Sequence, residues 1–153
     1  GRHISFSCDV DNDIEIPLDI FTTVIENLLD NAWNKRLREP DLTIDVDLKS
    51  INGKLQLLVT DTGSAINERV SQQLFKEVVS SNDGFGIGLY QCYELAKSYS
   101  LQLSIARNES GHVSFLLKWV LRRQNTYLYH FSLYFIRIYP YQNIIKGTAI
   151  SSN

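Results

Sequence analysis

Residues 3 to 10 (HISFSCDV) alternate apolar and polar side chains, the period-two pattern of a half-buried strand. The period then changes. Phe21, Val24, Ile25, Leu28, Leu29 and Ala32 recur at spacings of three and four, which predicts an amphipathic helix from Pro17 to about Arg38. Pro17 suits the first helical position, where a missing N–H costs nothing, and Pro40 stops the helix. LTIDVDLKSI (42–51) and KLQLLVT (54–60) flank Asn52-Gly53, a pair suited to the positive φ angles of a tight primed turn, so they predict a β-hairpin. A short helix is expected over 66–77, and a glycine-rich loop, Gly84 to Gly88, opens a second firm helix running to about Tyr99. Strands at 100–107 and 112–120 follow, with Asn108 to Gly111 as their turn. These elements predict an α+β two-layer sandwich: a mixed, mostly antiparallel sheet covered on one face by about three helices.

The bulk numbers narrow the function. A chain of 153 residues is long enough to bury a core without disulfides or metals, and one domain is expected. With 15 Lys and Arg against 17 Asp and Glu, no basic field exists to attract nucleic acid or anionic membrane. Cys8 and Cys92 stand far apart without a Cys/His cluster, which fits a reducing, cytoplasmic setting and gives no metal site of thiolates. No run reaches the roughly 18 to 20 apolar residues that cross a bilayer. A sequence with no methionine that starts at Gly1 is expected to be a piece of a longer chain. Residues 121–153 are crowded with Tyr and Phe and carry no charge from 124 to 136. That extension reads as an extra strand or a partner-covered surface, and it offers a route to a homodimer.

Three clusters carry candidate chemistry. Asn27, Asn31 and Asn34 share a narrow stripe of the first helix, although asparagine is a mediocre helix former. They read either as a solvated face or as neutral oxygens offered to a hydrated Mg²⁺ and to phosphates. Asp61-Thr62-Gly63-Ser64-Ala65 directly follows a strand. It reads as a plain turn, or as a carboxylate that accepts a hydrogen bond from the exocyclic amine of adenine and repels guanine's oxygen. Gly84-Phe85-Gly86-Ile87-Gly88 runs into a helix, where bare backbone and unpaired N–H groups suit an anion. Leu89 stands where a dinucleotide fingerprint needs glycine, and no Gly-Lys-Ser/Thr follows, so neither of those phosphate loops is present.

Taken in order, these clusters resemble the ATP-binding domain of sensor histidine kinases, the GHKL fold shared with gyrase, MutL and the chaperone ATPases. ENLLDNAWNKR is similar to the N box, VTDTGSAI to the first glycine box, LFKEV with Phe75 to the F box, and GFGIGLYQCYELA to the second glycine box. The likeness spans about residues 3 to 120, giving an ATP-binding domain over 1–120 and an extension over 121–153.

The resemblance implies ATP and Mg²⁺ as cofactors. Asn31 would ligate the metal, Asn27 would support it, Asp61 would bind adenine with Gly63 shaping the base pocket, and Gly84, Gly86 and Gly88 would form a lid over the phosphates. Lys35, Ile66, Phe75 and Leu89 complete the implied nucleotide set. The γ-phosphate would pass to a histidine on a dimerisation domain lying elsewhere in the full-length protein, and a response regulator would be the further partner. None of His3, His112 and His130 is given a catalytic role. Gyrase-like relatives hydrolyse ATP with a glutamate where this chain has Asn27, so hydrolysis is disfavoured. Glu26 points about 100° away on an ideal helix and reads as a surface charge. Asn34 and Asn82 stand where the family often has lysine, and Gly111 with Ser114 is all that remains of the last glycine box. Those departures keep two alternatives open: a GHKL-fold interaction module with weak or no turnover, and an anti-sigma-type serine kinase.

Overall fold

A computed structural model of the chain describes residues 3–10, 18–52, 54–76 and 87–120. Pro17, Gly53, Gly84, Gly86 and the 121–153 extension lie outside the described residues, as does His130.

The elements are β1 (Ile4–Asp9), α1 (Leu18–Arg38), β2 (Ile44–Ile51), β3 (Lys54–Asp61), α2 (Glu68–Gln73), α3 (Ile87–Ser98), β4 (Leu101–Glu109) and β5 (His112–Val120). They build one five-stranded sheet in the order β1-β2-β3-β5-β4. β1 runs parallel to β2, and every other neighbouring pair is antiparallel, so the expected mixed sheet is present. β2 and β3 pair as a hairpin with Ile51 opposite Lys54, and Asn52 takes φ +52° at its turn.

The core lies between one sheet face and α1 with α3. Phe21, Val24, Ile25 and Leu28 of α1 are almost wholly buried, as the three-four spacing requires. Beneath them alternate residues point inward: Ile44, Val46 and Leu48 from β2, Leu55, Leu57 and Val59 from β3, Phe115 and Leu117 from β5. Leu89, Cys92 and Ala96 seat α3 on the same layer. Ser5 and Ser7 of β1 reach across to Asp45 and Asp47, both hydrogen bonds lying on the exposed side. Among the described residues no helix is long and apolar enough to cross a membrane.

Two boundaries differ from the sequence reading. The helix expected over 66–77 is one and a half turns, Glu68–Gln73, capped by the Asn67 side chain accepting from Arg69 N–H. The turn expected at Asn108 to Gly111 is shorter, because β4 continues to Glu109 and Gly111 takes φ +86° alone. Asn108 is freed by that geometry for a different task, described below.

Candidate functional site

The polar stripe of α1 is the spine of the site. Asn27 and Asn31 are half-buried one turn apart, and Lys35 continues the line one turn further on. Asn34 is exposed and drops out of the group. At the upper end, Asn27 Nδ2 donates to the Thr23 carbonyl at 2.9 Å, which leaves Oδ1 as an acceptor. A Cβ placed on Gly88 would meet that Oδ1 at 2.3 Å, so the first turn of α3 touches the N-terminal half of α1 only because residue 88 has no side chain. At the lower end, Lys35 Nζ donates to Asp61 Oδ1 at 2.6 Å, and the two side chains are 5% and 7% exposed. One helix face therefore ties the start of α3 to the end of β3.

The loop 62–67 after β3 is pinned from four sides. Gly63 N–H donates to Asp61 Oδ1 at 2.9 Å, an Asx-type closure that turns the chain. A methyl group on Gly63 would lie within 2.5 Å of Leu42 Cδ1, 2.6 Å of Lys35 Cε and 2.7 Å of Glu39 Oε2, so glycine is needed for close approach. Glu39 accepts from Ser64 N–H at 2.8 Å and from Ser64 Oγ–H at 2.6 Å. Partial burial pushes the Glu39 carboxyl up, but these two bonds, helped by Lys35 and Arg38, hold it below its ordinary value. On the far side Asn108 accepts from Ile66 N–H at 2.7 Å and donates to the Ile66 carbonyl at 2.8 Å, while Gly111 N–H donates to the Gly63 carbonyl at 2.8 Å. Asn108 thus behaves as a strand neighbour for a loop that has none.

These contacts leave a cleft of about 180 Å³ between the end of α1 and the loop, lined by Lys35, Arg38, Glu39, Ser64, Ala65, Ile66, Asn67 and Val70. Ile66 is buried at its wall. Phe75 stacks on Tyr93 of α3, ring centroids 5.1 Å apart, and is half-buried against the core. Leu89 is fully buried, so its side chain serves packing. Of the sequence candidates, Lys35 and Ile66 line the cleft, Asp61 and Gly63 are buried beside Lys35, and Asn31 and Asn27 lie one and two turns back along α1, with Gly88 against Asn27. Gly84 and Gly86 lie outside the described residues.

Two of the candidates carry oxygens of the kind a hard cation takes. Asn27 and Asn31 offer neutral amide oxygens, which match Mg²⁺ rather than a thiophilic metal. Among the described residues no group of three His, Cys, Asp or Glu is placed to hold a metal by itself. The cations that follow Asn34 do not replace a phosphate-binding lysine. Lys35 is bound to Asp61, and Arg36 donates to the Pro40 and Leu42 carbonyls at 2.5 and 2.6 Å with its guanidinium 5.8 Å over Trp33. Sequence reasoning missed the Lys35–Asp61 pair, the Glu39–Ser64 clamp and the Asn108 clamp. Each joins residues at least 25 positions apart, for which one sequence carries no signal.

Comparison with known proteins gives the arrangement relatives. The family model described as histidine kinase-, DNA gyrase B- and HSP90-like ATPase matches residues 18–123. The chain is 28% identical over 124 residues to the adaptive-response sensory kinase SasA of Synechococcus sp. (strain JA-2-3B'a(2-13)), covering 73% of this chain and 33% of that protein. It is 29% identical over 107 residues to the sensor protein LytS of Bacillus cereus, covering 67% and 18%. The chain therefore spans a third or less of the length of these relatives. Among solved structures, the catalytic domain of histidine kinase ThkA aligns with a TM-score of 0.63 at 19% identity, over 78% of this chain and 80% of that one. Full-length ShkA in complex with AMPPNP aligns with a TM-score of 0.65 at 16% identity, over 82% and 27%.

Proposed function

Because the chain belongs to the family of histidine kinase-, DNA gyrase B- and HSP90-like ATPases, we propose that it is the ATP-binding catalytic part of a two-component sensor histidine kinase. In this reading it passes the γ-phosphate of Mg-ATP to a histidine on a separate dimerisation domain. The observation that carries the proposal is the buried Asp61 carboxylate, joined through Lys35 to the helix face that also bears Asn31 and Asn27. A desolvated carboxylate is suited to reading a purine edge, and the amide oxygens of Asn31 and Asn27, one and two turns from Lys35, suit a magnesium triphosphate.

Asn31, with Asn27 beside it, would hold Mg²⁺, which neutralises charge on the phosphates when bound. The chain's own residues do the rest: Asp61 orients the base, Gly63 lets its loop pack closely against the end of α1, and the bare Gly88 backbone brings the α3 N-terminus near the phosphates. Phosphoryl transfer asks mainly for positioning and charge neutralisation, so no nucleophile from this domain is required. SasA and LytS are named as a sensory kinase and a sensor protein, ShkA was solved with AMPPNP, and ThkA with the response regulator TrrA. These names support a nucleotide ligand and a response-regulator partner here. The engagement of Lys35 and Arg36 elsewhere favours a second feature, slow transfer relative to binding, and at its limit an interaction module that binds ATP without turnover.

Calorimetric titration with Mg-ATP tests the assignment. Binding at micromolar to submillimolar concentration is expected, and Asp61→Asn should weaken it by about 1.5 to 3 kcal/mol, the worth of a charged hydrogen bond. No binding at millimolar ATP, or an Asp61→Asn variant that folds and binds equally well, overturns the proposal.

A further inference from the structure

An irregularity in β4 turns one side chain around. Leu101, Leu103 and Ile105 pair with Trp119, Leu117 and Phe115, while Gln102 and Ser104 pair with Lys118 and Leu116. Under strict alternation the even-numbered residues of β4 would all stay on the outer sheet face. The register slips between Ile105 and Arg107, passing over Ala106, so that Arg107 pairs with Ser114 and Asn108 with Val113. One extra residue has exchanged the two faces, as a β-bulge does. Asn108 therefore stands on the face of the buried Val113, Phe115 and Leu117, the side that carries the helices.

On that side its carboxamide meets the loop after β3. Oδ1 accepts from Ile66 N–H at 2.7 Å and Nδ2 donates to the Ile66 carbonyl at 2.8 Å, the two bonds that a residue of an antiparallel neighbour would exchange. Gly111 and Ser110 hold residues 63 and 65 of the loop, and among the described residues the backbone of residue 66 is left to Asn108. The Ile66 side chain, 6% exposed, is thereby fixed at the wall of the cleft. Ile66 shares that cleft with Lys35, and Lys35 is bound to Asp61, so this wall belongs to the base end of the site and lies away from Asn27 and Gly88. We propose that Asn108 is a positioning residue of the nucleotide site: the bulge at Ala106 aims it at Ile66, and through Ile66 it sets the shape of the base end. This rests on the nucleotide-binding reading given above.

The experiment is a parallel calorimetric titration of the full chain and of Asn108→Ala with Mg-ATP and with Mg-tripolyphosphate, which keeps the phosphates and lacks the base. The ATP dissociation constant is expected to rise about tenfold in the variant, with that of tripolyphosphate within about twofold of the original, because two hydrogen bonds are lost at the base end alone. A merely structural role would lower the melting temperature and leave both constants unchanged in the folded variant, a result that overturns this inference and leaves the nucleotide reading intact. Equal weakening of both ligands also overturns it. Asn108→Asp keeps the acceptor for Ile66 N–H but loses the donor to the carbonyl, so it should weaken ATP in the same direction. If Asn108→Ala does not fold, the Asn108→Asp constants decide, and if tripolyphosphate is not bound by the unaltered chain, the ATP constants decide alone. No ATP binding by the unaltered chain overturns the nucleotide reading, and this inference with it.

Discussion

Lys35 and Asp61 share a space closed to water, and neither charge tolerates the loss of the other. Their attraction is offset by the cost of desolvating two ions, so the pair adds little net stability, yet breaking it strands a charge. Lys35→Met should therefore destabilise the fold by about 3 to 5 kcal/mol in urea unfolding, and adding Asp61→Leu should recover most of that loss. Equal destabilisation in single and double variants would contradict the coupling. Glu39 differs, because it holds Ser64 at the surface and keeps its carboxyl below the ordinary value of 4.5. The unfolded chain binds that proton more readily, so the clamp contributes fully above pH 4.5 and is lost as pH falls through the lower folded value. Urea midpoints measured from pH 6 down to about 3 should fall less in Glu39→Gln than in the unaltered chain. Parallel falls would assign the acid sensitivity to other carboxylates.

Between elements, contact is set by what is missing from side chains. α3 meets α1 at Gly88, where a Cβ would press on Asn27 Oδ1 at 2.3 Å. Gly88→Ala should push the amide aside or shift the helix start. Its expected signature is Mg-ATP affinity reduced by roughly tenfold with a melting temperature within a few degrees of the original. A variant that binds normally would show that this approach has no part in the site. The same scale shows where the sequence was legible. The helical stripe of Phe21 to Ala32, the Asn52-Gly53 hairpin and the alternation along β2 are local patterns, and they predict their elements because burial imposes period 3.6 or 2 on neighbouring residues. The hand-over of Asn108 from turn to clamp was not legible, since its partner Ile66 lies 42 positions away. Likewise α2 stops at Gln73, short of the expected 77, with the buried Leu74 as its C-cap.

At the scale of the molecule, the five-stranded sheet is a platform for α1, which meets the end of β3 through Lys35 and Asp61 and the start of α3 through Asn27 and Gly88. Which clusters would share a surface was legible only through their order along the chain, which matches a known family. The physical links between them, Lys35 to Asp61 and Asn27 against Gly88, come from the fold. The most direct measurement is a titration of the isotopically labelled chain with Mg-AMPPNP, following backbone amide shifts by NMR. A single saturable set of changes is expected at Asn31, Lys35, Gly63, Ile66 and Gly88, with Asp45, Asp47 and Lys49 on the outer sheet face unmoved. Changes centred on that outer face, or separate saturation curves for Gly63 and Gly88, would contradict a common nucleotide pocket.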